Sequence, residues 1–140
     1  MAGGEETGRP LDAAVLNAGR SIGGAFLDTD LDDELSLLQL NMASVVHHAK
    51  HVTRHMAGNG RGRILITSSS SATLPTPCET VYGPSRAFTR MFALGLREEL
   101  KEHGVSVRNA DRCMCPGAGS ARLHHCATKR KGALSGILLL

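Results

Sequence analysis

"LDAAVLNAG", residues 11–19, is the stretch on which the fold turns. Its apolar run from Leu11 to Leu16 stops at Asn17 and Gly19, the pattern of a buried strand that ends in a turn. Such a strand needs partners, and the rest of the chain supplies them. From Leu31 to Met56 the apolar positions Leu35, Leu38, Met42, Val45, Ala49, Val52 and Met56 advance by three and four, which predicts one long amphipathic helix. "AGNGRG" ends it with three glycines. "RILIT", residues 63–67, is a second continuous apolar run and is expected to be a strand covered on both faces. A Ser- and Pro-rich loop follows. Pro84 then fits the first turn of a second helix, where its missing N–H would have no intrahelical partner. On that helix Ala87, Phe88, Met91, Phe92, Leu94, Leu96 and Leu100 make a wide apolar face, Gly104 closes it, and "VSV" at 105–107 starts a third strand.

Strand, helix, strand, helix, strand with short links implies right-handed crossovers, a parallel sheet and an α/β fold. In open parallel sheets ligands sit beyond the carboxyl ends of the strands. Asn17, Ser68, Ser69 and Tyr82 all fall just after a strand or at the start of the next helix. Topology alone therefore gathers them at one rim. The expected organisation is a disordered segment at 1–10, an α/β core at 11–108 and a divergent, poorly ordered tail at 109–140. The tail "GSARLHHCATKRKGALSGILLL" has no helical or strand period, and "RNADRCMC" places charges at Arg108, Asp111 and Arg112 where a buried strand would be apolar.

A chain of 140 residues has the size of one domain. The net charge of +3 gathers in the C-terminal third, but three Phe, one Tyr and no Trp give little stacking surface for nucleic acid. "MAGGEETGRP" lacks the apolar core of a secretory signal, and the terminal "ILLL" is too short to span a bilayer. A cytoplasmic protein with no nucleic-acid or membrane partner is expected. Cys78, Cys113, Cys115 and Cys126 do not suggest a disulfide framework, so reduced thiols are expected, with Cys78 filling space in its loop. His47, His48, His51 and His55 include pairs at zinc-binding spacing, yet they lie opposite or beside the apolar stripe with Lys50 and Arg54. "CMC" and "HHC" have no finger spacing, and no metal site is expected.

"ETVYGPSRAF", residues 79–88, sets Tyr82 and Arg86 four apart at a helix start. A phenol that exchanges protons near neutral pH needs a nearby cation favouring its ionised form, and a cation at i+4 can supply one. Ser69, thirteen residues before Tyr82, could hydrogen-bond a substrate oxygen from the other side. Taken singly, each is an ordinary surface pair or turn residue. Their joint spacing is what points to proton transfer at a carbonyl.

Together, "NAG" at 17–19, Asn41 in the long helix, Ser69, the Tyr82-x-x-x-Arg86 pattern and "PG" at 116–117 resemble the short-chain dehydrogenase/reductase family. The resemblance implies a partial Rossmann-type three-layer fold, β-α-β-α-β here, with an N-terminal βαβ unit missing. It implies NAD or NADP as cofactor and a small carbonyl or alcohol substrate. Tyr82 would be the acid/base, Ser69 would orient substrate, and Asn41 would hold a proton-relay water. Arg86 would stand where the family usually has lysine, keeping the charge but not the relay. Asn17, Ala18, Gly19, Tyr82, Arg86, Pro116 and Gly117 would face the cofactor. The two long helices would build a homo-oligomer interface. The family's glycine-rich phosphate turn is not found ahead of Leu11. The alternative implied is a non-catalytic remnant that acts through its helix pair.

Overall fold

A computed structural model describes residues 10–112. Three strands, β1 (Ala13–Leu16), β2 (Gly62–Ser69) and β3 (Val105–Arg112), form a parallel sheet in the order β1-β2-β3. β2 is central, in register from Ala13↔Arg63 to Leu16↔Ile66 on one side and from Gly62↔Val105 to Ser69↔Arg112 on the other. Helices α1 (Leu31–Leu38) and α2 (Ser44–Gly58) are one path joined by a π turn at Gln39–Ala43, and α3 (Tyr82–Glu99) links β2 to β3. The Rossmann-like α/β arrangement matches the reading of the sequence.

Two right-handed crossovers that step the same way across a sheet leave their helices on one side. The core forms there. Ala14, Leu16, Ile64, Ile66, Val105 and Val107 point from the sheet into Val45, Ala49, Val52 and Met56 of α2 and Ala93 of α3. Alternate residues point the other way. Arg63, Ser106 and Arg108 are exposed there, and Ala13, Val15 and Leu65 share that face in a shallow hollow. The expectation that "RILIT" is covered on both faces is corrected among the described residues, because Leu65 is only half-buried and Arg63 is exposed.

The π turn also corrects the helix register. Its wider i→i+5 closure sets the N-terminal half of the helix back by one residue. Glu34, Leu37 and Asn41 are therefore buried ahead of Val45, instead of Leu35, Leu38 and Met42, and Leu35 is 52 % exposed. On α3 the first half buries Tyr82, Gly83, Ser85, Arg86 and Thr89, while Met91, expected on the apolar face, is exposed. Phe88 and Phe92 stack with ring centroids 5.8 Å apart.

β3 continues past the expected break at 108, so residues 109–112 belong to the sheet. Its charges are tolerated because one face is open and because Asp111 meets Arg90 of α3 at 3.4 Å. Residues 1–9 of the segment expected at 1–10, and residues 113–140 of the tail expected at 109–140, lie outside the described residues. Cys78, expected as a reduced thiol, is disulfide-bonded and adopts a left-handed φ of 66°. His55 accepts a hydrogen bond from the Leu11 N–H at 3.2 Å, tying α2 to the start of the sheet. Among the described residues no three His, Cys, Asp or Glu gather as a metal site, and no helix is long and apolar enough to cross a membrane.

Ile66→Ala empties a fully buried position and is expected to cost about 2–5 kcal/mol in urea unfolding. Leu65→Ala, on the open face, is expected to cost clearly less; equal losses would show that this face is covered.

Candidate active site

The sheet's C-terminal rim is built from the loop after β1, the end of β2 and the first turns of α3. Arg86 is the best-held element there. It is 6 % exposed, and its carbonyl accepts from the Ser68 and Thr89 hydroxyls, each at 2.8 Å. The guanidinium donates through Nη1 to the Thr67 carbonyl at 3.4 Å and lies over the Tyr82 ring at 5.2 Å from its centroid. Nη2 passes Gly19 so closely that any Cβ at position 19 would collide with it. Nε is buried without a partner, and no carboxylate among the described residues forms an ion pair with this cation. The ring quadrupole and one carbonyl thus offset part of the cost of burying the charge.

Tyr82 is itself 4 % exposed, and its carbonyl accepts from the Ser85 hydroxyl at 2.7 Å. Ser69 ends β2 in extended conformation and caps the short turn Ser70–Ala72, its Oγ accepting from the Ser71 N–H at 3.2 Å. That loop packs directly on α3, since a Cβ at Gly83 would lie 2.6 Å from Thr76 Oγ1 and 3.1 Å from the Ser71 carbonyl. The Ser71 hydroxyl donates to Glu79 at 3.1 Å and closes the loop. Ser69 and Tyr82 therefore share the rim without a hydrogen bond between them.

Asn41, fully buried on the π turn, accepts from the Arg20 N–H at 2.9 Å and donates to the Arg20 carbonyl at 2.9 Å and to Ser85 Oγ at 3.0 Å. Its side-chain NH2 is fully committed to protein groups, so within the side chain only the second lone pair of Oδ1 is left for a further bond. Asn17, Ala18 and Gly19 are partly buried at the end of β1. Pro116 and Gly117 lie outside the described residues. Reading the sequence missed Ser85, Thr89 and Arg20, and set Ser68 at the rim without a partner. One sign was available: Tyr82, Ser85, Arg86 and Thr89 make a polar stripe at helical spacing. The bonds to Ser68 and Arg20 span the fold and leave no local pattern.

The profile of the short chain dehydrogenase family matches residues 3–131. The chain belongs to this family. A short-chain type dehydrogenase/reductase of Sinorhizobium fredii is 32% identical over 131 residues, which are 93% of this chain and 51% of that protein. An NADP-dependent 3-hydroxy acid dehydrogenase of Salmonella typhimurium is 31% identical over 104 residues, 74% of this chain and 41% of its own length. The bulky-bulky ketone specific alcohol dehydrogenase of Comamonas testosteroni superposes with a TM-score of 0.71 at 28% identity, covering 78% of this chain and 43% of that one. A gluconate 5-dehydrogenase of Burkholderia cenocepacia, in complex with NADP and tartrate, gives 0.70 at 25% identity, over 73% and 40% of the two chains. This short-chain dehydrogenase chain thus spans about half the length of the relatives it matches.

The contact between Gly19 and Arg86 is directly testable. Gly19→Ala is expected to drive the guanidinium from the ring, with a coupling of about 0.5–3 kcal/mol to Arg86→Ala in a double-mutant cycle. Strictly additive unfolding energies would show that the two residues do not meet.

Proposed function

We propose that the chain carries the proton-transfer centre of an NAD(P)-dependent oxidoreductase that reduces a small carbonyl compound or oxidises the corresponding alcohol. The observation that carries this reading is the buried guanidinium of Arg86 stacked on Tyr82 at the C-terminal rim of a parallel sheet. Relatives described as NADP-dependent, and a neighbour in complex with NADP, support a nicotinamide cofactor, NAD or NADP. The residues present fit its nicotinamide-ribose end. Arg86 Nε is a buried donor lacking an acceptor, and Gly19, packed against the same guanidinium, brings the end of β1 to that place. Asn17, Ala18, Gly19, Tyr82 and Arg86 would line that group. When bound, it supplies or accepts the hydride.

The chain's own residues handle the proton. Tyr82 gives its hydroxyl proton to the carbonyl oxygen in reduction and takes it back in oxidation. Arg86 holds a positive charge beside the ring but, remaining protonated, does not pass protons on. Ser69 uses a lone pair to accept from the Ser71 N–H, which leaves its own O–H to donate to the substrate oxygen. Leu35, Leu40, Val46 and Met91, exposed on the helices, support self-association through that surface.

Tyr82→Phe is expected to retain saturable NADPH or NADH binding, followed by cofactor fluorescence, while turnover of carbonyl substrates falls by about 100-fold or more. Ser69→Ala should lower turnover in the same assay. Unchanged turnover in Tyr82→Phe, or no binding of either cofactor at millimolar concentration, would overturn the proposal.

A further inference from the structure

We propose that Ser85 is a positioning residue for Tyr82, joining the helix that bears the phenol to a clamp formed by Asn41 and Arg20. The inference rests on the acid/base role given to Tyr82 above. Ser85 is 0 % exposed, and its Oγ works in both directions, accepting from Asn41 Nδ2 at 3.0 Å and donating to the Tyr82 carbonyl at 2.7 Å. Asn41, equally buried, grips the Arg20 backbone through both its N–H and its carbonyl. Four residues from three separate elements are thus linked in series: the loop after β1, the π turn and the first turn of α3.

This linkage adds a third hold on the start of α3, beside the loop packed on Gly83 and the Ser68 bond to the Arg86 carbonyl. Val81 caps the helix with no side-chain hydrogen bond. The Ser85 hydroxyl reaches back three residues to the Tyr82 carbonyl, and Asn41 then sets where that hydroxyl sits. The far end of the series reaches the site from the other side, since Arg20 follows Gly19, against which the guanidinium packs. The ring is therefore set between a cation and a backbone that share one anchor. A methyl group at position 85 would leave Asn41 Nδ2 with a buried donor lacking its acceptor. The first turn would then be free to shift, carrying Tyr82 with it. Displacements of this kind near reacting groups matter more for orientation than for global stability.

Tyr82 is the only tyrosine and the chain has no tryptophan, so tyrosine emission reports this side chain alone. Acrylamide quenching of that emission is expected to be low in the unaltered protein and severalfold higher in Ser85→Ala. Asn41→Ala should give a similar rise, the double variant no further one, and Ser85→Thr, which keeps the hydroxyl, should return quenching toward the unaltered level. Ser106→Ala, on the exposed face of β3, is the neutral control. Unaltered quenching in folded Ser85→Ala, or rises that add in the double variant, would overturn the proposal. If Ser85→Ala loses its far-UV circular dichroism, the unaltered protein decides by NMR. The Asn41 side-chain amide protons should exchange with solvent at least about tenfold more slowly than those of exposed Asn59. Equal exchange rates would show that the clamp is absent. None of these measurements involves cofactor or turnover, so their failure is separable from failure of the Tyr82→Phe assay.

Discussion

A positive charge buried against an aromatic ring, paired with no carboxylate among the described residues, governs the arrangement of this molecule's polar rim. Taking a guanidinium out of water is costly, and here the cost is offset piecemeal by the Tyr82 ring and the Thr67 carbonyl. Two hydroxyls, from Ser68 and Thr89, also fix the backbone carbonyl of Arg86 itself. The surrounding residues follow from that constraint. Position 19 has no side chain because the cation passes over it, and the end of β2 carries hydroxyl groups because it must bond the helix opposite. The Nε of Arg86 is left without an acceptor among the described residues, as are Arg20 Nε and Asn109 Oδ1 elsewhere without a partner.

Much of the architecture was legible in the residues. The runs at Leu11–Leu16 and Arg63–Thr67 became parallel neighbours, and the stripe from Val45 to Met56 packed as its spacing required. Local pattern failed where long-range bonding decided the outcome. Asn41 displaced Met42 from the inward face because its amide has three bonds to make with Arg20 and Ser85, which no periodicity records. β3 ran on through Arg108 and Asp111 because only one of its faces is packed, whereas the sequence was read as if both were. At the site, the pairing of Tyr82 with Arg86 and the place of Ser69 on the rim were visible in spacing alone. The bonds that tie them to Ser68 and Asn41 were not, since these join residues 18 and 44 positions apart.

Family membership adds a scale to this picture. A chain covering about half of each relative still contains the rim where proton transfer is proposed, and superposes on solved family members with TM-scores of 0.70 and 0.71. Its three strands and their crossover helices form one unit, with β2 paired on both sides and both helices packed on one core. The residues of the rim are thus held by a local scaffold of three strands and their helices.

The side of the sheet that the described residues leave uncovered also limits what can lie against it. Arg63 and Arg108 border the hollow around Val15 and Leu65, so two copies meeting there about a twofold axis would set like charges face to face. Homotypic stacking is disfavoured by that repulsion even though the apolar strip invites it. With an apolar strip bordered by two arginines, this side of the sheet discriminates against a second copy of itself.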